Sequence, residues 1–319
     1  MLIHMRFNSF FLVNIFCTIF ILNSCEKAIE YNPEDIPFFE ALAAPPPGQG
    51  FQLHIPPFPV PSNYEREIFL RLAIGNTEDI YVTRYEVICR PNTHHFIAYG
   101  YDNESADYHP KVGVLRDQNL PDGRANLGLT MGSGALYCGV QEPTYDLQFP
   151  EGIAVKIPAN STIDMNSHYF NFGDDIIFGE VYLNLWTKPV SEIKEVLAYA
   201  DIDNEAVLFL PKNQNTTIEY TEYFKFRTEI RQMFAHMHKR GYQFDVFKVG
   251  GNNDGELLYK SLDYRHPPNK FFEPSLIMEK GEGLRTQVSY NNDTNRDINF
   301  GVTSDDEMGI LFYSWRSYD

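Results

Sequence analysis

The pattern that most restricts how this chain can fold is alternation with a period of two, in short runs between prolines and glycines. Ile153, Val155 and Ile157 alternate with Ala154 and Lys156 between Pro150 and Pro158, and Tyr242, Phe244 and Val246 alternate with Gln243 and Asp245. Residues 81–90 read as a further strand, and residues 219–226 are rich in aromatics. Successive strand side chains point to opposite faces, so such runs bury one face and wet the other. No segment keeps a long helical period. With 319 residues, 43% hydrophobic and 15% aromatic, the chain has apolar material for more than one core. The expected fold is all-β: two tandem jelly-roll-like antiparallel β-sandwich domains, 51–188 and 189–319, divided at the turn Lys188-Pro189.

The first fifty residues differ in kind. After Arg6 comes an apolar run, 10–22, too short for a confident membrane span and suited to a secretory h-region. It closes on Leu22-Asn23-Ser24-Cys25, which looks like a bacterial lipoprotein signal with Cys25 as the acylated residue. The plainer readings are an ordinary signal peptide or a short uncleaved anchor, and all three place the bulk of the chain outside the cytoplasm. Residues 1–25 are therefore expected to be a signal peptide. Residues 26–50, acidic and proline-rich around Ala43-Ala-Pro-Pro-Pro-Gly48, are expected to form an extended tether. This implies a protein held by a lipid on a membrane of the bacterial cell envelope, outside the cytoplasm (periplasmic or at the cell surface). Of four cysteines, only Cys89 and Cys138 remain as a candidate internal disulfide, and no Cys-x-x-Cys motif is present. A formal net charge of −17 argues against nucleic acid or an anionic membrane surface as a partner.

The chemistry-bearing residues are histidines. His236 and His238 flank Met237, and on a strand residues i and i+2 share a face, so one metal ion can take both rings while Met237 points away. His94 and His95 are adjacent. On a regular strand they face opposite ways, so one ion can hold both only across a bulge or twist, or through different ring nitrogens. His168 lies in another strand-like stretch, and Met308 follows the acidic Asp305-Asp306-Glu307. Taken singly, each has a plainer reading: a surface His pair, a hydrogen-bonded His168, a core Met308. Imidazole suits zinc, copper, iron and nickel, whereas a thioether chiefly selects copper in its reduced state. The chain has no His-Glu-x-x-His zinc motif, no Gly-x-Ser-x-Gly elbow and no phosphate loop.

In order along the chain, His94-His95, His168-Tyr169, His236-Met237-His238, the stretch 281–286 and Thr303-Ser-Asp-Asp-Glu-Met308 resemble the copper type II, ascorbate-dependent monooxygenases. That is the family of peptidylglycine α-hydroxylating and dopamine β-monooxygenases, and the resemblance runs from about residue 51 to the C-terminus. It implies two sandwiches facing a solvent-filled cleft, with one copper ion on each. His94, His95 and His168 would hold an electron-transfer copper. His236, His238 and Met308 would hold the copper at which dioxygen is used to hydroxylate a C–H bond of a small-molecule substrate. Ascorbate or a similar one-electron donor would serve as reductant.

The departures from the family are informative. Phe234 stands where peptide-hydroxylating members have a carboxylate-gripping arginine, Ile310 and Phe312 replace Asn and Tyr, and Asn166 replaces a glutamine. An aromatic ring cannot replace a bidentate cation, so the expected substrate is less polar than a peptide ending in glycine. The alternative is a non-enzymatic, lipid-anchored copper-binding protein of the same fold. A third reading is a structural or glycan-binding sandwich in which the histidines are incidental. His54, His109 and His266 are assigned no role. Four Asn-x-Ser/Thr sequons, at Asn103, Asn160, Asn215 and Asn292, are taken as coincidence.

Overall fold

The computed structural model describes residues 31–101, 109–118, 134–301, 303 and 305–317. The signal-like segment and Cys25 lie outside the described residues. Strands dominate, the only described helices being two short 3-10 turns. The chain forms two tandem jelly-roll-like antiparallel sandwiches.

One long sheet runs through both. Its order is Gly50–Val60, Ile177–Thr187, Ile80–Cys89, Ile153–Ile157, Glu195–Asp203, Gly309–Ser317, Thr228–Met237 and Lys270–Met278. The halves join where Ile153–Ile157 pairs in parallel with Glu195–Asp203, a departure from the otherwise antiparallel pattern. Facing it in the first half is the sheet Leu115–Asp117, Tyr64–Ala73, Thr162–Asn171, Thr93–Tyr101 and Gly134–Val140. In the second half the facing sheet is Gln214–Tyr223, Gly283–Asn292, Gly241–Val249 and Leu257–Ser261.

Each half has its own core. Ile55, Val87, Val155 and Leu183 meet Ile68, Phe96, Ile163 and Met165 in the first. Ile230, Met233, Leu311 and Tyr313 meet Phe244, Val246, Leu284 and Val288 in the second. Burying each such side chain contributes roughly 1.5–3 kcal/mol. The division between cores falls inside one strand: Leu197 belongs to the first and Ile202 to the second. The Lys188-Pro189 turn leads only into a short 3-10 turn, Val190–Glu192, ahead of that shared strand. A continuous strand, just beyond the turn at which the sequence places the boundary, thus couples the sandwiches.

Three expectations change locally. Alternation places Tyr242 with Phe244 and Val246, yet Tyr242 is exposed while the other two are buried. A register shift between Gly241 and Gln243 turns it outward. The proline-rich segment is not a free tether throughout. The Leu42 carbonyl accepts from Gln52 Nε2 and the Ala43 carbonyl from Asn184 Nδ2, each at 2.8 Å. Phe39 stacks on Tyr182 and lies against the Arg90 guanidinium. Extended proline-rich backbone pairs none of its own carbonyls, and the neighbouring side-chain amides supply the donors. Finally, Cys89 and Cys138 are free thiols, packed in the first core as small apolar side chains.

Candidate metal centre

The first trio rests on a bulge. The Thr93–Tyr101 and Thr162–Asn171 strands pair Thr93 with Tyr169 and His95 with His168, so His94 is the extra residue. That bulge brings both adjacent rings to one side. The ring centroids lie 5.2 Å apart for His94 and His95, 5.1 Å for His94 and His168, and 4.8 Å for His95 and His168. One ring nitrogen from each can be chosen so that all three lie within 4.8 Å of one another. His95, His168 and Glu67 sit directly opposite one another across three strands, on the face turned away from the first core.

The free lone pairs of this trio point to a ligand. His168 Nε2 donates to Glu65 Oε1 at 2.8 Å, and a carboxylate can only accept. His95 Nε2 donates to Asn166 Oδ1 at 2.8 Å, and that amide orientation is fixed because Asn166 Nδ2 donates to Glu67 Oε1, also at 2.8 Å. The Nδ1 atoms of both rings therefore carry lone pairs, and both are buried without any hydrogen-bond partner. Rings held through one nitrogen with the other bare and buried are the usual support of a metal site.

In the second half, Met237 turns into the core while His236 and His238 face out. Their ring centroids are 5.1 Å apart. His238 Nδ1 donates to the Asp306 carbonyl at 3.2 Å, which leaves Nε2 as its lone pair. His236 makes no hydrogen bond within the protein among the described residues. Met308 is buried at the start of the Gly309–Ser317 strand, and Tyr290 Oη donates to its carbonyl at 2.9 Å. Glu307, fully buried, accepts from the backbone N–H groups of His238 (3.1 Å), Arg240 (2.8 Å) and Met308 (3.4 Å). One carboxylate thus ties the turn after His238 to Met308.

Both groups open onto one cavity of about 200 Å³ between the halves, with His95, His236, His238 and Met308 in its wall. The His95 and His236 ring centroids are only 6.1 Å apart. The two groups therefore adjoin across a narrow cavity. Burial first, then the neighbouring rings, holds the His94 and His236 imidazoles well below the usual histidine range. Burial also draws His238 down, to about 4, against the pull of its bond to the Asp306 carbonyl. Neutral imidazoles with lone pairs free at neutral pH are what ligation requires. The Glu67 carboxyl is pushed up by burial but drawn further down by His168, His95 and Asn166, so it stays ionised.

No protein-family model and no curated protein matches the chain. Among solved structures, the chain is similar to the STIV MCP at 9% identity and a TM-score of 0.32, over 85% of this chain and 95% of that one. It is similar to the major capsid protein P2 from Bacteriophage PM2 at 7% identity and a TM-score of 0.29, over 80% and 98% of the two chains. For the Sputnik virophage structure the values are 6%, 0.26, and 90% of each chain. These are likenesses of fold at low scores and carry nothing about chemistry.

Several cavity residues have no signal in the sequence. Glu67 reaches the site only through strand register. His266, paired with Asp263 at 3.0 Å, stands at the rim of the cavity, and Asn269 lines its wall. His54 and His109 lie outside the cavity. His54 bonds Glu180 at 2.9 Å, and His109 stacks on Tyr101.

Proposed function

We propose that this protein is a copper-dependent monooxygenase that hydroxylates a C–H bond of a small, weakly polar substrate with dioxygen and an ascorbate-like one-electron donor. The observation that carries the reading is the gathering of His95, His236, His238 and Met308 in the wall of one mostly apolar cavity, with His94 and His168 clustered behind His95 and the Nδ1 atoms of His95 and His168 buried and unpartnered. His94, His95 and His168 would hold one ion, and His236, His238 and Met308 the other. Bound copper would supply the one-electron steps and the activation of dioxygen, in a reaction that inserts one oxygen atom into R–H. The other oxygen leaves as water after taking up two electrons and two protons.

The protein's own residues do the rest. Glu65, Asn166 and the Asp306 carbonyl fix the ring tautomers of His168, His95 and His238, so these three each present a lone pair without rearrangement. Phe234 and Phe312 stack at 5.1 Å with 22° between planes and form an apolar wall. That wall excludes water from the reacting space and orients substrate by contact. The lipid anchor at Cys25 and a place in the bacterial cell envelope belong to the same proposal, resting on the signal-like N-terminus.

The test is metal stoichiometry joined to turnover. Purified protein should bind two copper ions per chain and consume oxygen in the presence of ascorbate, and Met308→Ile should abolish that consumption. Fewer than two coppers, with oxygen uptake unchanged in Met308→Ile, removes the reading. A second reading, a copper-binding protein without turnover, is favoured by Phe234 in place of the family's substrate-gripping arginine. Tight copper(I) binding with no oxygen uptake from any donor would select it.

A further inference from the structure

We propose that Glu67 is the polar anchor of a substrate pocket that takes an apolar molecule carrying one hydrogen-bond donor, an amine or an alcohol, and rejects carboxylates. Calling the ligand a substrate rests on the function proposed above; the pocket itself does not. Its walls are mainly apolar, with Phe69, Leu136, Val140, Phe234, Ile310 and Phe312 prominent, and among the described residues no Arg or Lys lines it.

Most polar groups of the wall already have partners. Asn269 accepts from Gln232 at 2.6 Å and donates to the Tyr145 hydroxyl at 2.5 Å. Gln141 gives its amide to the Tyr264 carbonyl at 3.0 Å. Asn166 bridges His95 and Glu67. Glu142 and His266 pair with each other at 3.5 Å, both half exposed at the rim.

Glu67 is different. Its Oε1 takes Asn166 and stands 3.5 Å from His95 Nε2. Its Oε2 has no hydrogen-bond partner among the described residues, yet it is not sealed in, so it opens into the cavity. A carboxylate oxygen without a donor in apolar surroundings is costly, and a ligand N–H or O–H relieves that cost. An incoming carboxylate meets like charge, with no Arg or Lys among the described residues of the wall to offset it. The flat pair Phe234 and Phe312 suits a ring or a compact aliphatic body.

Calorimetric titration of the full-length protein tests this. The protein is loaded with copper(I) without oxygen and, in parallel, stripped of metal, and the probes are benzylamine, benzyl alcohol and benzoate. Amine and alcohol should bind at least about tenfold more tightly than benzoate in both forms. Glu67→Gln should erase most of the advantage of amine and alcohol over benzoate, and Phe234→Arg should raise benzoate to the level of the amine. If Glu67→Gln does not fold, Phe234→Arg alone decides. Failure of amine and alcohol to bind, benzoate binding equally well, or a ranking untouched by the variants would each overturn the assignment. Copper binding with a flat probe ranking sinks this pocket and spares the proposed function. The expected ranking without copper binding does the reverse.

Discussion

Glu307 offers the sharpest test of how the second ligand group is held. It is fully buried, accepts three backbone N–H groups and lies 3.9 Å from the Arg240 guanidinium. Burial pushes its carboxyl up from the ordinary 4.5 to about 7, against the pull of Arg240 and the backbone donors. The folded value lies above the unfolded one. Between those limits the native state keeps a proton that the unfolded chain has released. Stability attributable to this group is therefore fully present below about pH 4.5, falls as pH rises through about 7, and is level above that. The gap corresponds to about 3 kcal/mol. Glu307→Gln has the same shape but no proton to lose, so the wild type should decline relative to the variant by about 3 kcal/mol between pH 4.5 and 8. The assay is urea unfolding of metal-stripped protein across that range. Trp315, packed on the second core, serves as fluorophore in a Trp186→Phe background. Equal pH slopes in the two proteins would refute the titration. A wild type that gains on the variant as pH rises would show that Arg240 and the N–H groups hold the carboxylate ionised throughout.

Other consequences concern neighbouring residues. Met308→Leu swaps similar volumes in a buried site and should cost less than about 1.5 kcal/mol by denaturation. It should nevertheless lower copper(I) stoichiometry from two per chain to one in competition with a chelator, because the soft donor is gone. Gly309→Ala places a Cβ 2.4 Å from Asn204 Nδ2 and 2.5 Å from the Tyr290 hydroxyl that supports Met308. It should destabilise the protein by about 1–3 kcal/mol and weaken copper(I) at this group while sparing His94, His95 and His168. Burial pushes the Cys89 thiol up to about 12 and Cys138 higher still. Neither should take iodoacetamide at pH 8 in the native protein, and both should do so in urea, as peptide mass mapping would show.

What could be read from the chain beforehand divides along a physical line. Strand alternation is a local property, and it yielded the sandwiches because an amphipathic strand has one face to bury. It misled at Tyr242, where a bulge set by the partner strand reverses the facing. For His94 and His95, adjacency alone implied a bulge, a twist or the use of different ring nitrogens for both rings to act together, and the extra residue in the register at His94 is a bulge. The spacing of His236 and His238 likewise carried its own geometry. Glu67 had no such signal. It is one carboxylate between Arg66 and Ile68, and it gains meaning only because register sets it opposite His168, which sits opposite His95. Separation between the two ligand groups was equally out of reach. It depends on one strand, Glu195–Asp203, serving both cores and closing the halves until His95 and His236 stand 6.1 Å apart. Local periodicity determines which face of each strand bears chemistry, whereas the joining of two sheets determines which faces meet. Substitutions within the shared strand, which carries no candidate ligand itself, should therefore alter the His95–His236 spacing more than substitutions in the loops around them.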